Sequence, residues 1–507
     1  MADATPDHVG QLSPDGLWLW DGTAWRSAQR ELPVWFTLRT RSEATWAVLI
    51  GAAIVGLLLD QALRVNAFGL GASATVLAAA AALAFAGGLR WSESRAMVGV
   101  AALFAVWLSV RESPWLLWPD LAASLILLAL AASVAVRGSI FDLGTAELAA
   151  RSLHGLGHLA TGMGFAARPL AASRGRLRLL GPLSRGLLIA MPIVVVVSVL
   201  LASADPVFAS FFNLNLDPLQ LLSDALFIAL GVVGMAGLMR LAHSEGIDQV
   251  DGPLWRLGAT EALVVLALLD AVFAAFALAQ VLAATGAAAG TLRAAGVTYA
   301  DYARSGFFQL LWVSGITLVV LVLFSRITGF RRPEHRVAFT LLAETAIVLT
   351  LVIVAVAFGR LSLYEEAYGF TMLRLYSHIF AGWIAFVFLL LAADLLGVWR
   401  GRRWFVGVGL ASAFAVLLSL NFANPEALVV ALNVNHAQSS HKLDADYFRE
   451  LTSDATPTLL GAVPGLNPSL RAGVQGVACS GGRSYSPSWA AFNWSAADAA
   501  GARRQDC

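Results

Sequence analysis

Runs of about twenty apolar residues, broken only by short polar stretches, restrict this chain more than any other feature. ATVLAAAAALAFA (residues 74–86) and VVLALLDAVFAAFALAQ (264–280) are two examples. A bilayer core about 30 Å thick needs about 20 apolar residues per helix, and backbone groups in lipid must be satisfied within the segment. Runs of that kind fall near 44–63, 68–89, 96–110, 115–136, 186–204, 219–240, 259–284, 306–325, 337–358, 378–398 and 404–421, eleven in all. The expected fold is therefore an all-α integral membrane protein with about eleven spans. Composition agrees: 58% of residues are hydrophobic, 13% are charged and the mean hydropathy is +0.72. Soluble domains hold about 45–50% apolar and about 25% charged residues. The net charge is +1, and no basic patch marks a nucleic-acid surface.

Orientation follows from where arginine and lysine fall, because basic residues accumulate on the cytoplasmic side. With the N-terminus inside, cytoplasmic segments carry 22 basic residues and the short outer loops carry 6, namely Arg64, Arg111, Arg293, Arg304, Arg360 and Arg374. The C-terminal tail then lies outside. All seven tyrosines (Tyr299, Tyr302, Tyr364, Tyr368, Tyr376, Tyr447 and Tyr485) fall in outer segments, as an interfacial belt or a binding surface would. Residues 1–45 lack the apolar core of a secretory signal, so the first span is expected to direct insertion. Only one of the 34 basic residues, Lys442, is lysine, which with the alanine runs suggests a GC-rich bacterial genome. The expected organisation is a cytoplasmic tail (1–43), a four-helix membrane segment (44–136), an arginine-rich amphipathic linker (137–185), a seven-helix core (186–421) and an extracytoplasmic tail (422–507).

Ionisable groups within spans are costly and read as functional by default. Asp270 lies near the middle of one run and Glu344 about two turns into another. Each is either a proton or ligand site or a protonated group held by neighbours such as Ser314, Thr317 or Thr345. Asp224, near an outer end, reads better as glue between helices. In the outer loops Tyr299, Asp301, Tyr302 and Arg304 precede a helix entry. Leu361, Tyr364, Tyr368 and Tyr376 share a helical stripe, on an amphipathic surface helix or an outward extension of the tenth span. Asp301, Arg304, Arg360, Glu365, Glu366, Arg374 and His378 would meet at this face as a salt-bridge network or a ligand site. In the linker, His154 and His158 share one helical face but lack a third ligand at matching spacing, so no metal site is expected. The glycine-rich GLGHLATGMG lacks the lysine and hydroxyl of a phosphate loop. Cys479 and Cys507 either form a disulfide closing a 29-residue loop or stay as free thiols. No catalytic constellation stands out in the tail and no cofactor site is legible, so no enzyme is expected; the weakest alternative is a membrane enzyme with Asp301, Glu365, Glu366 or His378 as acid or base.

TYADYARSGFFQLLW, LYEEAYGFTMLRLY and NPEALVVALNVNHAQSSHKLDADYFRELTSDATPTLL resemble the recurring blocks of bacterial multi-pass proteins grouped as domain of unknown function 4173, with the related 4153. The resemblance spans about residues 180–495. It implies membership but no activity. Asn424–Pro425, then His441 to Asp444, then Trp489 and Trp494 match family positions, with His441 standing where glycine is usual. At the other end SPDGLWLWDGTAW resembles the short tryptophan motif of actinobacterial membrane proteins. Its Asp21–Gly22 pair predicts a small β-hairpin over residues 17–26, setting Trp20 opposite Thr23 and Trp18 opposite Trp25. Three functions remain open: a cell-envelope scaffold or signalling accessory with an outward-facing surface, a proton-coupled transporter, and a membrane enzyme acting on a lipid-linked substrate. The expected partners are the bacterial plasma membrane and another membrane or envelope protein.

Overall fold

Residues that start or stop helices punctuate the apolar runs. In the computed structural model the described residues are 18–20, 25–27, 38–65, 67–136, 138–172, 218–247, 256–285, 306–399, 403–440, 443–480 and 488–507, with scattered positions between 190 and 205. The helices are α1 (Trp46–Arg64), α2 (Leu70–Ala86), α3 (Ser92–Val110), α4 (Pro114–Ser133), α5 (Thr145–Ala166), α6 (Pro218–Ala242), α7 (Ala259–Ala284), α8 (Phe307–Ile327), α9 (Pro333–Tyr368), α10 (Met372–Leu395) and α11 (Trp404–Ala423). Proline occupies the first helical turn of α4 and α9, where its missing N–H costs nothing. Gly369 (φ 75°) stops α9 and Asn424 (φ 51°) stops α11.

Among the described residues nine helices are long and apolar enough to cross a membrane, as a multi-pass membrane protein requires; α2, with 17 residues, is shorter. The expected count of eleven also includes a span at 186–204, which falls largely outside the described residues. The 36 residues of α9 measure about 54 Å at 1.5 Å per residue, far more than a bilayer core. LYEEAY therefore extends the ninth expected span, not the tenth. Gly369 breaks the tyrosine stripe, leaving Tyr376 on α10.

Helix packing cuts across chain order. Met235, Ala236 and Met239 of α6 share one core with Val48, Phe104, Leu108 and Leu128 of the first four helices, although sequence order groups α6 with the later spans. Glycines allow this: a Cβ on Gly231 would lie 2.7 Å from the Cα of Gly56, so α1 and α6 touch backbone to backbone. Gly162 of α5 meets Gly237 of α6 in the same way. Asp224 of α6 pairs with Arg64 at 2.7 Å, and Arg64 also holds Asp60 at 2.9 Å. A second core joins α7, α8, α9 and α10, through Leu266, Leu321, Ile347 and Phe388.

The two ends of the bundle differ. At the arginine-rich end Arg41 donates to the carbonyls of Gly88 and Ala242. There the buried Arg151 of α5 donates to Glu147, Ser133 and the carbonyl of Ile247. At the opposite end the tail folds as a cap of α12 (Pro425–Ser440), α13 (Thr456–Ala462), α14 (Pro468–Ser480) and α15 (Trp494–Asp506). It has its own small core of Val430, Phe448, Leu459, Leu460, Val474 and Val477, and a disulfide joins Cys479 to Cys507. Near the N-terminus strands Trp18–Trp20 and Trp25–Ser27 pair antiparallel, with Trp20 opposite Trp25 and Trp18 opposite Ser27. The expected register is displaced because four residues, not two, separate the closing pair; hairpin connections of that length are also common.

Candidate functional site

Three helix ends meet beneath the cap. Gly306, at φ 90°, turns the chain into α8; a Cβ there would sit 3.1 Å from Arg360 Nη1. Across from it Gly369 separates the outward extension of α9 from α10. The turn is pinned from the cap. Asn433 accepts from Phe370 N at 2.9 Å and donates back to the Phe370 carbonyl at 2.8 Å, while the Tyr447 hydroxyl accepts from Met372 N at 2.7 Å.

These ends enclose a cleft of about 500 Å3, lined by Phe307, Gln309, Arg360, Tyr364, Thr371 and Arg374 among others. Arg374 lies over the Tyr364 ring, 4.3 Å from its centroid, and donates to the Gly369 carbonyl. Arg360 donates to Gln280 Oε1 at 3.1 Å. Two guanidiniums beside aromatic and aliphatic walls suit an anionic group borne on an apolar body.

Of the residues expected at this face, Arg360, Tyr364 and Arg374 line the cleft. Tyr368 packs against Tyr364 with the rings tilted and their centroids 4.9 Å apart, and Glu366 is exposed. Tyr299, Asp301, Tyr302 and Arg304 lie outside the described residues. Glu365 and His378 meet on the flank between α9 and α10, with Nδ1 3.1 Å from Oε1, and Ser362 Oγ lies 3.2 Å from His378 Nε2. Sequence reading missed Ser362. Its signal was the serine and glutamate three residues apart on one helix face, with the histidine beyond the glycine turn.

Asp270 is buried, and neither carboxylate oxygen has a hydrogen-bond partner among the described residues. Glu344 is only half-buried. Asp120, fully buried in α4, accepts from Asn421 Nδ2 at 2.7 Å. It went unread although it interrupts the apolar run PWLLWPDLAASLILL. His154 and His158 are buried, with their Nε2 atoms 3.1 Å apart, and burial pushes the His158 imidazole down to about 3. No cluster of three or more His, Cys, Asp or Glu able to hold a metal occurs among the described residues.

The cap joins the bundle through buried carboxylates. Asp454 Oδ2 accepts from Glu112 N at 3.0 Å and Ser113 N at 2.9 Å, just before α4. Glu426 Oε2 accepts from Thr452 N and Oγ1 at 2.7 and 2.9 Å. Burial pushes the Glu426 carboxyl up to about 7 and raises Asp454 as well.

The chain matches the family described as Domain of unknown function (DUF4153) over residues 98–462. The match starts within α3, earlier than the resemblance read from the sequence, and ends with α13. No curated protein and no solved structure matches it.

Proposed function

The chain belongs to the Domain of unknown function (DUF4153) family, and from that premise we propose that it is a cell-envelope accessory protein whose working face is the capped end of the bundle. There the cleft receives an anionic amphiphile, such as a lipid headgroup or the lipid-anchored part of an envelope partner. One observation carries this reading: Arg360 and Arg374 flank a cleft of about 500 Å3 whose other walls include Phe307 and Leu361.

We read the capped end as extracytoplasmic and the N-terminus as cytoplasmic, in a bacterial plasma membrane with eleven crossings. The partition of loops supports this. Residues Arg41, Arg151, Arg240 and Arg403 gather at one end, whereas loops near 69, 112 and 370 contact the cap. The kinship with the grouping numbered 4173, the actinobacterial source and the tryptophan motif belong to the same reading.

Vesicle-reconstituted protein tests the cleft. Native mass spectrometry in phosphatidylglycerol should retain lipid that phosphatidylcholine does not replace, and the Arg360→Ala, Arg374→Ala double variant should lose about tenfold or more in retention, since charge-assisted hydrogen bonds are worth about 1.5–3 kcal/mol each. Equal retention by the variant would refute the reading. A transport reading is favoured by Asp270 alone, whose buried oxygens have no partner among the described residues. Asp270→Asn should then abolish proton-coupled flux and leave lipid retention unchanged.

A further inference from the structure

Ser362, His378 and Glu365 form a hydrogen-bonded chain that the arginine cleft does not use. Ser362 and Glu365 lie on α9, and His378 reaches them from α10. His378 Nδ1 is 3.1 Å from Glu365 Oε1, and Nε2 is 3.2 Å from Ser362 Oγ. Donation of Nδ1–H to the carboxylate leaves the Nε2 lone pair facing the hydroxyl, the tautomer that a general base needs. The hydroxyl has two acceptors within reach, Nε2 and the Phe358 carbonyl at 3.1 Å. Its proton can therefore turn from the helix to the imidazole without moving the serine. Glu365 is buried and His378 mostly so, whereas Ser362 is exposed. A sheltered base and an accessible nucleophile are the arrangement covalent catalysis uses.

The depth of these groups names a substrate class. Ser362 lies four residues beyond the apolar stretch 337–358, the level at which a lipid's hydrocarbon gives way to its polar linkage. One turn further into the bilayer, α9 and α10 part to leave a groove of about 300 Å3. Every residue lining it is apolar or glycine: Leu351, Val354, Ala355, Phe358, Ala381, Gly382 and Ala385. Phe358 belongs to both features, since its ring centroid is 4.2 Å from that of His378. Ala381 and Gly382 follow His378 by one helical turn. The groove suits an acyl chain whose carbonyl end would lie beside Ser362.

We propose that Ser362, His378 and Glu365 are the nucleophile, general base and orienting carboxylate of an acyl hydrolase acting on an ester-linked lipid whose chain occupies this groove. Ser362 Oγ bonds to the ester carbonyl carbon as its proton passes to His378 Nε2. The carbon–alkoxy bond then breaks, and the departing alcohol takes that proton. Water, the second substrate, attacks the acyl-serine while giving a proton to His378. Ser362 regains the proton as the fatty acid leaves, so no oxidant or further reactant is needed. The proposal goes beyond lipid binding and does not depend on the Arg360–Arg374 cleft.

The full chain in phosphatidylethanolamine–phosphatidylglycerol nanodiscs, treated with a fluorophosphonate probe, tests it directly. Mass spectrometry should locate the adduct on Ser362, and Ser362→Ala should lose both the adduct and the release of fatty acid. His378→Ala should label about 100-fold more slowly or less, with part of the rate restored by added imidazole, which a purely structural role would not allow. Glu365→Gln should change the pH profile of labelling as well as its rate. Ser362→Ala removes one oxygen from an exposed position, so its elution profile serves as the folding control. Wild-type protein that takes up no more probe and releases no more fatty acid than a normally eluting Ser362→Ala variant overturns the proposal.

Discussion

Removing the Asp454 side chain should detach the cap from the start of α4. Its Oδ2 accepts the backbone N–H groups of Glu112 and Ser113 at 3.0 and 2.9 Å, donors that precede a proline-started helix and have no intrahelical partner. Asp454 is 3% exposed and Ser113 fully buried, so Asp454→Ala strands two donors where water enters poorly. At about 1–3 kcal/mol for each buried group left unsatisfied, with some relief from water admitted to the cavity, the loss should be about 2–4 kcal/mol. Hydrogen exchange of residues 443–480 in detergent micelles reads this as local opening. Exchange should quicken by about 30- to 700-fold, at 1.4 kcal/mol per tenfold. Asp454→Asn keeps an oxygen that can accept both bonds. Because burial already raises the Asp454 pKa, losing the charge costs little, and that variant should stay within about threefold of wild type, a small fraction of the effect of a stranded donor. Alanine and asparagine variants that exchange alike would refute the hydrogen-bond argument.

Other tests follow from the same contacts. Burial raises the Glu426 carboxyl to about 7, so the docked cap favours its neutral form. That contribution is present in full below the ordinary carboxyl range near 4.5 and is lost as pH rises through about 7, amounting to about 3 kcal/mol. Cap opening measured from pH 5 to pH 8 should therefore increase, and Glu426→Gln should flatten the dependence. Paired Cys479→Ser and Cys507→Ser changes remove the closure of a 28-residue separation. They should cost about 3–4 kcal/mol on the chain-entropy view, seen as earlier proteolysis of the cap with the bundle intact. Arg151→Ala leaves the buried Glu147 without its 2.8 Å partner, and at about 3–5 kcal/mol for a broken buried pair folded yield in detergent should fall sharply. Double replacement of Glu147 and Arg151 by apolar residues should recover much of it.

The sequence was most readable where the physics is local. Hydropathy located the helices because a span in lipid must satisfy its own backbone. All ten of the expected runs that fall on described residues are helices, with ends within about four residues except where α9 runs ten residues further and α10 begins six residues earlier. Arg360, Tyr364 and Arg374 were legible from loop position as neighbours at one end of the bundle, where they line one cleft. The division of the membrane region was not legible: α6 joins the first four helices because Gly56 and Gly231 admit backbone contact, and glycine spacing in one segment does not identify its partner. Asp120 could have been read from the rule applied to Asp270. Ser362 offered less, since a serine three residues before a glutamate on one helix face is unremarkable until the fold brings a histidine across to it.

From the sequence alone came a helical membrane protein, the arginine asymmetry between its two ends and the family-like blocks, all properties of short segments in a bilayer. Only the tertiary structure decided that the tail folds as a cap and that Asp454 serves backbone groups 341 and 342 residues earlier. It alone set His378 between a serine and a glutamate of the neighbouring helix. Such pairings depend on which apolar faces pack together, and many helices with similar apolar surfaces could satisfy lipid equally well. Close glycine contacts and a few buried hydrogen bonds select among them, and those act between residues that periodicity along the chain cannot connect.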